Sequence, residues 1–395
     1  MISTIYLDHA AATPLDPRVK QAMEPYLTVE YGNAQSPHLV GQNAAQAIHN
    51  ARISISRILT CMPGEIVFCS SGTESINLAI LGVARANAAK GKHIITSAIE
   101  HKAVLESCTQ LEREGFSVTY LQPDKFGRIT TENLNGALRA DTILVSFMQA
   151  NNEIGTINDI VALAKIAHAK GALFHSDACQ SAGYLDINVH RSGVDLLSLN
   201  GSKLYGPKGS ALLYVRNNIK VQPLIFGGGQ EDGLRSGTEN VAAIAGLAEA
   251  LNLTQQTKEK ESPRLIALRD WFIAEVLKIE GTQLQGHPSN RLANNVNITF
   301  EGIEAESLLY ILSEHGVCAS SGSACTSKEL DPSHVLLGIG VGADLAKSSI
   351  RFTLGRMTTK EVLERALEII KQDLEQLRTH GHVLADFPTH GSRSL

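Results

Sequence analysis

Two residues carry the first chemical hint. Lys203 follows the apolar run Leu196–Leu199 and the turn signal Asn200–Gly201, and Gly206–Pro207 and Gly209 come soon after it. A lysine just past the end of a core strand is partly desolvated. Desolvation disfavours an ammonium, so more free amine is available as a nucleophile, and the flanking glycines let backbone approach a ligand closely. These are the needs of a Schiff-base lysine; the stretch also fits a surface lysine in a hairpin turn. Upstream, His175-Ser-Asp-Ala-Cys-Gln180 follows the apolar Ala172–Phe174, which puts Asp177 near a strand end. Asp177 alone also fits a metal ligand or a turn residue. An aspartate that pairs with a protonated pyridine nitrogen, together with a lysine that binds an aldehyde, is the partnership pyridoxal phosphate requires.

Such residues need a scaffold that gathers strand ends. From Glu65 onward, short apolar strands (Ile66–Cys69, Ile94–Thr96, Ser117–Leu121, Thr142–Met148, Ala172–His175) alternate with helical patterns. The helices include Ile76–Val83, His101–Glu114 and Ile160–Lys170. This alternation predicts an α/β fold with a mostly parallel sheet covered on both faces. Ligands on such sheets gather at the carboxyl ends of the strands. Thr73, His101, Asn152, Asp177 and Lys203 all fall just beyond predicted strand ends. Ser70-Ser-Gly-Thr73 at a helix start reads as a phosphate cradle or as simple N-capping.

Before this region, Tyr6–Pro14 and Tyr31–His38 read as loops, and a helix runs through about Leu59. After it, a helix from Asn240 to about Leu253 leads into the polar run Thr254–Ser262, which resembles a linker inside or after that helix. From Pro263 the character changes: a helix (Leu265–Ile279), a strand (Asn295–Phe300), a helix (Glu304–His315), a strand (Arg351–Leu354) and a final helix from Thr359. The expected organisation is a large domain over 15–255 and a smaller α+β domain formed by 1–14 with 256–379. Residues 380–395 are expected to form a loose tail. In Ala319–Ser327, small residues flank Cys325 and give it access, so this thiol can travel and react, or it is an inert surface thiol.

The 395 residues suffice for two domains. With 43% hydrophobic and 19% charged residues, the composition argues against disorder. A net charge of −5 without a basic block argues against nucleic acid as a direct ligand. No apolar run approaches membrane length, and the first residues lack a signal-peptide pattern. The six cysteines (61, 69, 108, 179, 318, 325) form no CxxC pair, so neither a disulfide framework nor a structural metal site is expected, and a reducing cytoplasm fits.

Longer motifs then converge. They are Tyr-Leu-Asp-His-Ala-Ala-Ala-Thr-Pro (6–14), Ser-Ser-Gly-Thr-Glu-Ser (70–75), Glu100-His101, Ala-Asn-Asn-Glu-Ile-Gly (150–155), His-x-Asp-Ala-x-Gln (175–180) and Lys203 with Tyr-Gly-Pro-Lys-Gly (205–209). Further along lie Gly-Gly-Gly-Gln-Glu (227–231), Arg-Ser-Gly-Thr-Glu-Asn (235–240), Ser-Ser-Gly-Ser-Ala-Cys (320–325) and Ile-Arg-Phe-Thr-Leu-Gly-Arg (350–356). With these the chain resembles, nearly end to end, the group I (NifS/IscS-type) cysteine desulfurases, which are fold-type I, aspartate-aminotransferase-like pyridoxal-phosphate enzymes. The resemblance implies a large domain with a mostly parallel seven-stranded sheet, pyridoxal 5'-phosphate as cofactor, and a homodimer with the site at the subunit interface. It implies L-cysteine as substrate and a sulfur-acceptor protein, an iron–sulfur scaffold or a thiolation relay, as partner.

Residue roles follow from the same resemblance. Lys203 would bind the cofactor and shuttle the proton at the substrate Cα. Asp177 would pair with the pyridine nitrogen, Gln180 with the ring hydroxyl, and His101 would stack on the ring and assist proton transfer. Gly72, Thr73 and Ser202 would hold the phosphate, with an amide from Asn200 nearby and Thr238 reaching across from the partner subunit. Asn33, Asn152 and Arg351 would bind substrate, Arg351 through a bidentate fork. Cys325 would be the thiolate that takes the sulfur as a persulfide. No resident metal is expected, although Cys325 could transiently ligate an iron–sulfur cluster on a scaffold.

Three departures stand out: Asn200-Gly201-Ser202 where the family usually has Ser-x-His, Asp232 after Gly-Gly-Gly-Gln-Glu, and a tail unlike the scaffold-docking end of housekeeping members. They leave the acceptor open and keep a selenocysteine lyase and a non-catalytic family member as alternatives.

Overall fold

The computed structural model describes residues 4–322 and 331–380. A two-residue strand, β1 (Ile5–Tyr6), opens the described chain. The next seven strands are β2 (Ile66–Cys69), β3 (His93–Ser97), β4 (Ser117–Leu121), β5 (Thr142–Ser146), β6 (Leu173–Asp177), β7 (Leu196–Asn200) and β8 (Ala211–Val215). They form one sheet in the order β2-β8-β7-β6-β5-β3-β4. Only β8 runs antiparallel to its neighbours; the other pairings are parallel.

Burial on both faces accounts for the strand sequences. Along β2, Ile66 and Phe68 enter one core while Val67 and Cys69 enter another. Every residue of β2, β3, β5 and β8 is buried, which is why they read as continuous apolar runs rather than alternating ones. The edge strand β4 has no fully buried residue. Helices Leu39–Leu59 and Ile160–Ala169, with the first part of helix Val241–Val276, cover one face. The helical run from Gly72 to Asn87 and helix Lys102–Arg113 cover the other. The run from Gly72 contains a π turn at Leu78–Gly82.

A second architecture follows in the chain. Strands β9 (Thr282–Leu284), β10 (Asn295–Phe300), β11 (Val317–Cys318) and β12 (Ser349–Thr353) build an antiparallel sheet in the order β12-β10-β9, while β11 pairs in parallel with β1. Ile5 and Leu7 at the start of the chain share this core with Phe272, Phe300, Phe352 and Ile370. Among the described residues no helix is long and apolar enough to cross a membrane.

The polar run Thr254–Ser262 does not break the chain as a linker would. One helix, Val241–Val276, of 36 residues passes straight through it and through the expected boundary at 255/256. At about 1.5 Å per residue, it is a rod on the order of 54 Å long. Its first turns, Val241 to Leu253, pack in the sheet core. Leu265, Phe272 and Val276 pack in the second core. The middle is polar, with Gln256, Glu259 and Lys260 exposed, and Gln, Lys and Glu are good helix formers. Pro263 is tolerated inside because it and Glu259, whose carbonyl loses its donor, both lie on the exposed side. Pro263→Ala restores that hydrogen bond and should raise the unfolding free energy by at least about 1 kcal/mol of the roughly 3 kcal/mol helix-interior penalty. Urea titration of the two proteins checks this; a less stable variant would mean that the second core needs the proline's bend.

Candidate active site

Five strand ends and one strand of the second sheet bound a cavity of about 160 Å³. Its lining includes Gly72 and Thr73 after β2, His101 after β3, Asn152 after β5, Asp177 and Gln180 at β6, Asn200 and Lys203 at β7, and Arg351 on β12. Strand β6 extends two residues past the expected His175, so Asp177 is its last residue rather than the first of a loop. Its Oδ1 accepts the N–H of Cys179 at 2.8 Å, which fixes the carboxylate at the cavity wall.

The lysine and the arginine are each held by a residue near the start of the chain, Ala11 and Asp8 respectively. Lys203 lies in a 3₁₀ turn after β7, and its Nζ donates to the carbonyl of Ala11. Arg351 is only 2% exposed. One terminal nitrogen donates to the carbonyl of Asn152 and the other to Asp8, both at 3.0 Å. Its Nε and the side-chain Oδ1 of Asn152 have no partner. A buried donor and a buried acceptor left unpaired at one cavity suit a ligand with complementary groups. Gln180 donates to the carbonyl of Ala10 at 2.9 Å. His101 caps the following helix, its Nδ1 accepting from the Ala103 N–H at 3.1 Å, so the capping role and a place on the cavity wall coexist in one residue.

At the helix start, Ser71 is the N-cap and accepts from the Glu74 N–H. A side chain at Gly72 would put its Cβ 2.8 Å from the Cys179 sulfur and 3.4 Å from the Asn200 amide nitrogen. Glycine is therefore the residue that lets this turn close against β6 and β7. Ser202 does not line the cavity. Its hydroxyl and its N–H both donate to Asn200 Oδ1, at 3.0 and 3.1 Å, and so orient the Asn200 amide. Thr238 is exposed and borders a separate cavity of about 180 Å³ with Glu231, Arg235 and Glu239. Asn33 is exposed, and its side chain accepts from the Gln35 N–H. Cys325 lies outside the described residues. The chain leading toward it is tied to β12, where Ser320 and Arg351 exchange backbone hydrogen bonds at 2.7 and 3.2 Å. Asp232 occupies a left-handed turn with φ 53°, a conformation aspartate tolerates better than most residues.

Sequence reasoning missed the groups around the floor of the site. Cys179 lines the cavity, and burial holds its thiol well above the ordinary range. Glu100 is fully buried and accepts the Met148 N–H. Burial pushes the Glu100 carboxyl well up; the Met148 N–H opposes this and the neighbouring Asp177 charge adds to it. His175 bridges Ser146 and Ser198 at 2.8 and 3.0 Å, and burial lowers it to about 4. Asp8, Ala10 and Ala11 act through contacts that no local pattern announces.

With this geometry in view, the chain belongs to the aminotransferase class-V family, whose model matches residues 5–366. Within it, the chain is 50% identical over 376 residues to the cysteine desulfurase IscS of Dictyoglomus turgidum, covering 95% of each. Among solved structures, a NifS-like protein superposes with a TM-score of 0.90 at 34% identity, over 95% of this chain and 100% of that one. A structure described as SspA in complex with cysteine superposes with a TM-score of 0.78 at 37% identity, over 89% and 99%.

The histidine beneath the site makes a pH prediction. His175 is held near 4 in the fold against 6.5 in the unfolded chain, so between those values the unfolded chain binds the extra proton. Stability is therefore complete above about pH 6.5 and falls toward pH 4, with a slope of about 1.4 kcal/mol per pH unit for this one group. His9, also lowered to about 4 by burial, adds a second such contribution. Urea unfolding between pH 4.5 and 7 should show a shallower slope in His175→Gln than in wild type; equal slopes would refute the assignment.

Proposed function

We propose that this chain is a pyridoxal-phosphate-dependent cysteine desulfurase, converting L-cysteine to L-alanine and taking the sulfur onto Cys325 as a persulfide. The observation that carries the reading is the convergence of Lys203, Asp177, His101, Asn152 and Arg351 on one cavity beside the Gly72–Thr73 helix start. The similarity to cysteine desulfurases over nearly the whole chain supports it.

The donor set fits the cofactor. Lys203 offers a primary amine to an aldehyde, Asp177 a carboxylate to a pyridine nitrogen, and Gly72 leaves a cradle that a Cβ would fill. Thr73, the helix N–H groups and the Asn200 amide would hold the phosphate. Gln180 would face the ring hydroxyl and His101 the ring. When bound, pyridoxal phosphate supplies an electron-poor ring that draws electrons from the substrate Cα.

The remaining chemistry belongs to the chain. The unpaired Arg351 Nε and Asn152 Oδ1 bind and orient the amino acid, the guanidinium taking its carboxylate. Lys203 removes the Cα proton and later returns one to the three-carbon fragment. The Cys325 thiolate bonds the substrate sulfur as the Cβ–S bond breaks. That electron pair stays with the carbon fragment, which takes up protons and leaves as alanine. The persulfide then passes to an acceptor protein in the cytoplasm.

The exposed Thr238 lies outside its own chain's cavity, which supports a homodimer in which each copy completes the other's phosphate site. The two cores support a large cofactor-binding unit over 15–255 and a smaller unit of 1–14 with 256–379, joined by the helix that crosses 255/256.

Purified protein with pyridoxal phosphate, L-cysteine and a thiol reductant should release sulfide and alanine in equal amounts. Cys325→Ser should release almost no sulfide while still binding cysteine, and labelled sulfur should sit on Cys325 alone. Full turnover in Cys325→Ser would overturn the mechanism. The Ser202 hydroxyl acts through Asn200, so Asn200→Ala should lose cofactor on dialysis about tenfold faster than wild type, the cost of one hydrogen bond to a charged group. Ser202→Ala should show a smaller loss, and the reverse order would show that Ser202 reaches the phosphate itself.

A further inference from the structure

The segment between β1 and the first helix, residues 7–16, runs across the mouth of the lysine turn. Thr13 occupies its middle and is 8% exposed. Its hydroxyl donates to the carbonyl of Ser202 at 3.0 Å and accepts the N–H of Tyr205 at 2.7 Å. Its own N–H donates to the same Ser202 carbonyl at 3.0 Å. Asp16 N–H then donates to the Tyr205 carbonyl at 3.0 Å. One threonine thus bridges the residue before Lys203 and the residue two after it, while Ala11 accepts from the lysine amine itself.

The bridge holds a conformation that would otherwise relax. Tyr205 has φ 60°, in the left-handed region where a bulky residue is strained. It is buried, so its N–H has no access to water and depends on the Thr13 oxygen. From the other side the Arg356 guanidinium stacks on its ring, 4.1 Å from the centroid, and the Arg356 N–H donates to its hydroxyl at 2.7 Å. The strained residue is fixed at both ends, and the turn that carries Lys203 is fixed with it.

We propose that Thr13 is a positioning residue for Lys203, its hydroxyl clamping the lysine turn so that the amine faces the cavity. The proposal rests on the reading of Lys203 as the amine that bonds the cofactor. Valine has nearly the same shape as threonine but neither donates nor accepts, whereas serine keeps the hydroxyl. A misplacement of the amine on the order of 1 Å is enough to slow its reaction severely.

The test uses cofactor-free protein. The rise of the Lys203–pyridoxal phosphate absorbance should be about tenfold slower in Thr13→Val than in wild type, and within about twofold of wild type in Thr13→Ser. A second readout needs no cofactor. Formaldehyde with cyanoborohydride methylates lysines, and peptide mass spectrometry gives the rate at Lys203 against exposed Lys208 as internal reference. That ratio should change in Thr13→Val and return in Thr13→Ser. If Thr13→Val does not fold, Thr13→Cys, of similar size with a weakly bonding sulfur, carries the same comparison. A variant that loses thermal stability but keeps both the absorbance rate and the methylation ratio overturns the proposal, leaving Thr13 a purely structural role. Wild-type protein that develops no absorbance with pyridoxal phosphate overturns the functional reading, and this proposal with it; a wild-type band that Thr13→Val leaves untouched overturns this proposal alone.

Discussion

A guanidinium buried to 2% exposure cannot be left without partners, and much of the molecule is arranged to supply them. Arg351 stands on β12 in the second core, yet its terminal nitrogens reach Asp8 near the chain start and the Asn152 carbonyl beyond β5. One side chain therefore joins three regions that are remote in sequence. The Asp8 backbone bridges to Thr353 on the same strand, so ion pair and strand pairing set one geometry. The third nitrogen, unpaired, is the one that remains for a ligand.

Charge at the floor of the cavity is also limited by its surroundings. Glu100 and Asp177 lie close enough to influence each other, and burial pushes the Glu100 carboxyl well up. His175 is neutral near pH 7 for the same reason, and the Cys179 thiol stays protonated. Asp177 sits beside them at the end of β6, its Oδ1 fixed by the N–H of Cys179.

The parts of the site that sequence could disclose are those that obey a general rule of sheet architecture. Alternating strands and helices made the α/β fold legible, and the rule that ligands gather at carboxyl strand ends singled out Thr73, His101, Asn152, Asp177 and Lys203, all of which line one cavity. Arg351 came from motif resemblance, as did Thr238 and Asn33, which lie away from that cavity in their own chain. The long helix was misread because polarity resembles a linker unless helix propensity is weighed against it. The roles of Thr13, Ala10, Ala11 and Asp8 were invisible, because their partners Tyr205, Gln180, Lys203 and Arg351 lie between 170 and 343 positions away. No periodicity encodes such contacts.

The pairing of β1 with β11, and of Asp8 with β12, has a consequence for the newborn chain. The sheet core draws on residues from Val19 to Leu253, all of which leave the ribosome before β12 exists. Residues 5–10 emerge some three hundred residues before their partners Val317, Cys318, Arg351 and Thr353. At about 5–20 residues per second, the leading segment waits on the order of tens of seconds for the strands that receive it. Its apolar Ile5 and Leu7 are without their final burial for that interval. The cavity is thus closed by early residues joining late ones, and a polypeptide stalled short of β12 would carry the lysine and aspartate with no arginine to complete them.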